Sequence, residues 1–369
     1  MIKPRLAIDV RYAAAPLSGF GRFTWNLLEG LAVLGPPEPI MILAKAGQEK
    51  PGKLADHPAF IWRQVDATPF SPVGQWKLAR ALAGEGVKAM ASPDVFAPLS
   101  NALKQVVTLH DIIPLRCPDL LSRSAKGRFS GLWRQWLRLQ ISNADLVLTV
   151  SDHAKRDIAS AFRGTDDKLR TVYNAVPTIA PPPEENLRPS KDKVKLLYVG
   201  RTAPYKNIVG CIEVVASLRR EGLDAVLTIV GEPDPRYPEA LEIVQRQHLQ
   251  RAVTFTGHVD ERRLQSLYRE ASIFLFLSRY EGFGLPPLEA MAHGVPVVSS
   301  DRASLPEVLG DAALLVDPED KAAAVTAIRR VIEQPDLAKK LRQHGLARAA
   351  GFTQERQATM FWDAVSPVV

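Results

Sequence analysis

The chain has 369 residues, enough for two domains of ordinary size, and its 46% hydrophobic and 24% charged residues describe a soluble globular protein. No apolar run approaches the roughly eighteen residues of a spanning helix, the start MIKPRLAIDVRY has no signal-peptide core, and Cys117 and Cys211 lie far apart without metal spacing, which fits a cytosolic chain with reduced thiols. The net charge of +7 falls entirely in residues 1–190, with 24 basic against 17 acidic side chains, while the remainder balances at 23 against 23, so the first half is expected to meet an anionic partner.

In chain order, Leu6–Val10 reads as a first buried strand and Ser18-Gly19-Phe-Gly21-Arg22 as a loop, with helical spacing from Phe23 to Leu34. Glycines between a first strand and a first helix suit close approach of backbone to a phosphate, although a plain flexible turn has the same composition. Neither a dinucleotide fingerprint nor a Gly-Lys-Ser/Thr loop is present. Apolar runs at Ile40–Leu43, Phe60–Val65, Val87–Ala91 and Gln105–Leu109 alternate with helical or polar stretches, the mark of βαβ units and a parallel sheet. The last of these ends on His110-Asp111, where open α/β sheets hold ligands, although a lone histidine also serves as an ordinary structural group.

From Ser124 to Ile141 the positions Phe129, Leu132, Trp133, Trp136, Leu137 and Gln140 form one helical face, with Lys126, Arg134 and Arg138 on another. Aromatic residues beside basic ones describe either an interfacial helix or a core-facing one. Asp145–Val150 is a further strand, Ser151 caps the helix Asp152–Phe162, and Leu169–Asn174 closes the first half. Proline density then places a linker at 177–193, between an N-terminal domain, residues 1–176, and a C-terminal one, residues 194–352. The second half restarts the pattern with strands Val194–Val199, Ala225–Val230, Val253–Thr256 and Ile273–Leu277. A last helix from Thr353, too short to stand alone, must pack on something already folded.

The stretch Ser278–Asp317 organises the second half. A buried strand runs into the turn Glu281-Gly282-Phe283-Gly284, then a short helix ending near Ala292, and Val295–Val298 forms the next strand. Strand, glycine loop and helix N-terminus are a construction for holding an anion on backbone N–H groups. Glu281 lies in the loop and Glu289 about a turn into the helix, so both can face one cleft; a capping carboxylate and a solvated one are the plainer alternative.

Taken together, Glu281-Gly-Phe-Gly-Leu285-Pro-Pro with Glu289 and Gly294-Val-Pro-Val-Val298, Gly200-Arg201-Thr with Lys206-Asn207, Phe255-Thr-Gly257-His258-Val259, Gly19-Phe-Gly21-Arg22, His110-Asp111 and Val172-Tyr-Asn-Ala-Val-Pro177 resemble the retaining nucleotide-sugar glycosyltransferases of family 4 over nearly the whole chain. Ala175 replaces the glycine more common in that last motif. The resemblance implies an α/β GT-B architecture of two Rossmann-like domains facing a cleft, with the helix 353–369 docked on the N-terminal domain. It implies that Arg201 and Lys206 hold the donor diphosphate after Gly200, that Glu289 accepts from the ribose, and that Glu281 with the amides of Gly282, Phe283 and Gly284, beside Leu285, anchors the sugar. Gly257, His258 and Val259 would border the base, Gly19 and Gly21 would approach the diphosphate, and His110 and Asp111 the transferred sugar.

No Asp-x-Asp occurs, so Arg and Lys are expected in place of a metal, and no cofactor is implied. The phrasing around Glu281 and Ser304-Leu-Pro-Glu307 resembles the mannosyltransferase subgroup, which implies GDP-mannose as donor, with UDP-sugars open. A lipid-linked or polysaccharide glycan acceptor is expected, with 124–141 touching the inner face of the cell membrane. The alternatives are an epimerase of similar architecture and a basic nucleic-acid-binding protein, for which no docking or stacking motif is present.

Overall fold

The computed structural model describes residues 3–13, 19–48, 50–66, 68, 71–177, 179 and 193–369. The chain divides into two compact units, one of Met1–Ile112, Gly131–Pro177 and Phe352–Val369, the other of Ile113–Ser130 and Thr178–Gly351. Most of the expected linker, 177–193, lies outside the described residues. The stretch Ile113–Ser130, expected with the N-terminal half, groups with the second unit. Arg123 anchors it there: its guanidinium donates to the carbonyl of Arg236 at 2.6 Å, pairs with Glu239 at 2.8 Å and lies 5.6 Å from the centre of the Tyr237 ring.

In the first unit β1 (Leu6–Asp9), β2 (Ile40–Ala44), β3 (Phe60–Gln64), β4 (Ala89–Ser92), β5 (Lys104–Thr108), β6 (Leu146–Thr149) and β7 (Leu169–Thr171) form one parallel sheet in the order β3-β2-β1-β4-β5-β6-β7. β1, β2, β4 and β6 are buried at every position, as expected of strands covered by helices on both faces. Met41, Leu43 and Met90 of this sheet pack with Leu78 and Leu82 of the helix Pro72–Gly84. The helix Gln354–Val365 lies on the helix Gly19–Leu34, where Gln357 Nε2 donates to the carbonyl of Phe23 at 3.1 Å, and Phe361 is fully covered.

In the second unit β8 (Val194–Val199), β9 (Ala225–Val230), β10 (Val253–Gly257), β11 (Ile273–Phe276), β12 (Val297–Ser300) and β13 (Ala313–Val316) pair in parallel in the order β10-β9-β8-β11-β12-β13. The strand order reverses between β8 and β11, so loops leaving the two strands diverge and open a crevice at their carboxyl ends. In the first sheet the same reversal falls between β1 and β4.

Two local readings change. The first helix begins at Gly19, so Gly19 and Gly21 lie in its first turn rather than in a loop. The expected helix 124–141 is two helices, Ala125–Arg128 and Ser130–Asn143, broken at Phe129 between the poor helix formers Gly127 and Gly131. Of the six positions on its expected apolar face, Leu137 and Gln140 are buried, Trp133 and Trp136 lean on Phe96 at ring distances of 6.2 and 5.9 Å, and Phe129 and Leu132 stay exposed.

Candidate active site

The crevice of the second unit is built on the loop after β8. Tyr198, fully buried and stacked on Phe276 at 5.5 Å, donates its hydroxyl to the carbonyl of Arg201 at 3.2 Å. Burial, and after it the nearness of Glu281, pushes that phenol well above its ordinary value, so it remains a donor. Thr202 Oγ1 accepts the N–H of Asp234 at 2.7 Å, which ties this loop to the one leaving β9. The chain then makes a single tight turn, Pro204–Lys206, and reaches Asn207 in the left-handed conformation with φ of 54°. Asn207 caps the next helix by accepting from Gly210 N–H at 3.3 Å while its amide holds the carbonyl of Pro318 at 2.8 Å.

That turn brings Lys206 Nζ to 2.6 and 2.8 Å from the two oxygens of Glu281, with 13% and 9% of the side chains exposed. The loop carrying Glu281 is laced to the turn by backbone, since Arg279 N–H donates to the carbonyl of Tyr205 at 2.7 Å. From the other side the fully buried Ser304 places its Oγ 2.9 and 2.8 Å from the carbonyl oxygens of Glu281 and Phe283. Gly284 turns the chain into the helix Leu285–Ala292 with φ of 103°, and a Cβ there would come 2.6 Å from Leu305 Cδ2, so this position requires glycine. Pro286 and Pro287 carry no N–H, which leaves Leu285 and Leu288 as the amide-bearing residues of that first turn.

Glu289, on the same helix, is 5% exposed, and its Oε2 accepts the Tyr268 hydroxyl at 2.9 Å. Tyr268 in turn stacks on His293 at 4.7 Å and 18°. His293 Nδ1 lies 2.9 Å from the Glu289 carbonyl, and since a carbonyl only accepts, that nitrogen bears the proton. The carboxylate therefore stands on a packed aromatic support.

In the first unit His110 and Asp111 follow β5, both half-buried. His110 sits edge-on to Phe20 and Phe23 at 4.6 and 5.0 Å, and its Nε2 lies 2.9 Å from the carbonyl of Pro93. Burial pulls its pKa down to about 4 against the opposing effect of that carbonyl, so the ring is neutral near pH 7 with the proton on Nε2. At the β1 mouth the buried Arg11 holds Asp9 with two bonds of 2.8 and 2.6 Å and donates to Gln75 Oε1 at 2.9 Å, fixing the chain as it leaves β1.

Gly200, Arg201, Lys206, Gly257, His258, Val259, Glu281, Gly282, Phe283, Gly284, Leu285 and Glu289 thus all stand at or just beyond the carboxyl ends of strands in the second sheet. Gly19, Gly21, His110 and Asp111 stand at the corresponding ends in the first. The structure pairs Lys206 with Glu281, whereas the resemblance implies separate duties on diphosphate and sugar. Tyr198, Tyr268 and Arg11 support these groups without having been singled out from sequence, and Ser304, named there only within a subgroup motif, turns out to hold the Glu281 loop. An aspartate inside an otherwise apolar first strand was the one available signal, pointing to Asp9 and its partner Arg11.

Two parallel-sheet units with cations and carboxylates at a strand-order reversal define the class: a GT-B glycosyltransferase. The chain belongs to glycosyltransferase family 4; residues 17–179 match the model described as Glycosyltransferase Family 4, and residues 183–348 match that described as Glycosyl transferases group 1. It is 30% identical over 368 residues to O-antigen chain mannosyltransferase B of Escherichia coli, spanning 93% of this chain and 94% of the relative. Over 235 residues it is 31% identical to O-antigen chain mannosyltransferase RfbU of Salmonella typhimurium, spanning 63% of this chain and 62% of the relative. Among solved structures, sucrose-phosphate synthase from Thermosynechococcus elongatus superposes with a TM-score of 0.76 at 20% identity, covering 99% of both chains, which is a likeness of fold.

Proposed function

We propose that this glycosyltransferase moves mannose from GDP-mannose, with retention of configuration, to a lipid-linked glycan at the inner membrane surface. The observation that carries the reading is the Lys206–Glu281 pair at the β8/β11 reversal, with the exposed Arg201 on the same loop. A departing nucleoside diphosphate develops negative charge, and fixed cations at that point stabilise it. Arg201 and Lys206 take the diphosphate, Glu289 the ribose hydroxyls, and Glu281 anchors the sugar while orienting the lysine.

Glu281 and Glu289 are not an acid/base couple in this scheme. One has both oxygens on an ammonium and the other accepts from a buried phenol, so both serve as binding groups. The bond from sugar C1 to the diphosphate breaks, the acceptor oxygen bonds to C1 on the same face, and its proton passes to the leaving phosphate oxygen. His110, neutral, hydrogen-bonds a sugar hydroxyl rather than moving a proton.

The mannose assignment is supported by the two O-antigen chain mannosyltransferases above. The membrane assignment is supported by the helix Ser130–Asn143, which leaves Leu132 and Leu139 exposed on one side and Arg134 and Arg138 on the other. No described helix is long and apolar enough to cross a membrane. The test is transfer of radiolabel from GDP-mannose, UDP-glucose and UDP-galactose into solvent-extractable glycolipid, with the anomeric centre of the product read by NMR. Label from GDP-mannose alone, in the α configuration of the donor, is expected. Transfer only from a UDP-sugar would overturn the donor assignment.

A further inference from the structure

β10, β9 and β8 are neighbours; β10 ends on Gly257, and Gly231 and Gly200 follow directly on β9 and β8. At the strand spacing of about 4.8 Å the three make a ledge roughly 10 Å wide without side chains. It is welded through backbone, with Gly200 N–H on Val230 O at 2.9 Å and Gly231 N–H on Gly257 O at 3.0 Å. Arg201 continues directly from one end of this ledge. A carboxylate stands at the other, because Glu232 follows Gly231 and its Oε1 accepts the N–H of His258 at 3.0 Å. The same contact brings Oε1 within 3.0 Å of where a Cβ on Gly257 would sit, so the carboxylate lies against the ledge. Glu232 is itself exposed, and Thr202 bridges its loop to that of Arg201 through the Glu232 carbonyl and the Asp234 N–H, at 3.4 and 2.7 Å.

We propose that Glu232 is the residue that selects guanine in the donor, an inference that rests on the GDP-sugar reading. A carboxylate offers two acceptors and no donor. Guanine presents two adjacent N–H donors, N1–H and the 2-amino group, which a carboxylate takes as a charge-assisted pair. Uracil presents one N–H between two carbonyl oxygens, and a carboxylate repels both. Adenine places a ring acceptor beside its amino group and fits no better. The bond from His258 fixes one carboxylate oxygen, so the pair is oriented before the base arrives. Selection thus comes from attraction to one base edge and repulsion of the others.

The experiment measures calorimetric affinity of the full chain for GDP, for inosine diphosphate (which lacks the 2-amino group), for UDP and for inorganic pyrophosphate, in wild type and in Glu232→Ala. Wild type should prefer GDP over inosine diphosphate by about tenfold or more, the worth of one hydrogen bond to a charged group. Glu232→Ala should bring that ratio close to one while leaving pyrophosphate affinity unchanged, because pyrophosphate reads only the Arg201 and Lys206 end. Persistence of the GDP preference in Glu232→Ala would overturn the role of Glu232 and leave the donor reading standing. Loss of pyrophosphate binding in the variant would equally overturn it, by showing that Glu232 shapes the loops instead. Tighter binding of UDP than of GDP by wild type would sink the donor reading itself, and the inference with it.

Discussion

Replacing Lys206 with methionine tests the pairing with Glu281. The ammonium touches both carboxylate oxygens, at 2.6 and 2.8 Å, and only 13% and 9% of the two side chains is exposed. Removing one partner of a buried pair leaves the other charge without compensation, which costs about 3–5 kcal/mol. Because a tenth or so of each side chain reaches water, the abandoned carboxylate is partly rehydrated, and about 3 kcal/mol is the better figure. For a unit of this size that is a fall in melting temperature of roughly 6–12 °C. Removing both charges with Lys206→Met and Glu281→Gln leaves no stranded ion, so the double variant should return to within about 1 kcal/mol of wild type.

The double variant separates stability from function. Calorimetric unfolding should show the loss in Lys206→Met and the recovery in the double, while GDP affinity should fall by about a hundredfold or more in both, as a lost charge-assisted phosphate contact demands. Failure of the second substitution to rescue the first would refute the coupling. A stable double variant that binds GDP like wild type would refute the assignment of Lys206 to the diphosphate.

Tyr268→Phe removes one hydroxyl and leaves Glu289 Oε2 without that donor in a site where the glutamate is 5% exposed. It should lower stability by about 1–3 kcal/mol and raise the donor KM more than it lowers kcat, and an unchanged KM would argue against ribose contact. Gly231→Ala would put a Cβ 2.1 Å from the carbonyl of Gly200 at a φ of 144°, so the Gly200-Arg201 segment must shift. Its urea midpoint and its pyrophosphate affinity should both drop, and wild-type values for both would show that the ledge yields easily. His110 has a folded pKa of about 4 against an ordinary 6.5, so below pH 6.5 the unfolded chain takes up a proton that the folded chain refuses. Its contribution to stability is therefore full above pH 6.5, falls by about 3 kcal/mol as pH drops to 4, and levels off below; His110→Asn should lose that much of the pH dependence, and a variant with the wild-type slope would contradict it.

Most of both sheets was legible because parallel strands covered on two faces leave apolar runs with few other readings. The run Val194–Val199 has the same bounds in sequence and structure, and Ala225–Val230 does too. β13 was missed because its four residues, half-exposed at three positions on a sheet edge, carry too little pattern against the loop around them. The helix 124–141 was misjudged because its spacing is helical throughout, while the break at Phe129 comes from flanking glycines and from which unit each side packs on. In the crevice the motif residues could be named but their bonds could not. Lys206 and Glu281 are 75 positions apart, and their pairing depends on a backbone bond from Arg279 to Tyr205 that no side-chain pattern announces. Tyr268 lies on the buried face of the amphipathic helix Glu261–Glu270 with Leu264 and Leu267, where spacing alone does not separate a supporting phenol from a core side chain.

The pairing also bears on the charge asymmetry. Residues 191–369 hold every donor-contact candidate of the second unit, yet carry 23 basic and 23 acidic side chains. Within the crevice Lys206 and Glu281 cancel as well, which leaves Arg201 as an exposed cation beside the anionic Asp234, whose carboxyl is lowered chiefly by its bond to Arg236 and slightly by Arg201. Such a site draws little on long-range attraction and holds a diphosphate by short, directed bonds. The excess of +7 in residues 1–190 is therefore not needed for the donor and suits a second anion, such as the phosphate of the lipid-linked acceptor proposed above. Raising salt from 50 to 500 mM, which shortens the screening length from about 14 to about 4 Å, should leave the donor KM within about threefold while flotation with anionic vesicles is lost. Equal salt sensitivity of the two would show that the basic half serves the nucleotide sugar after all.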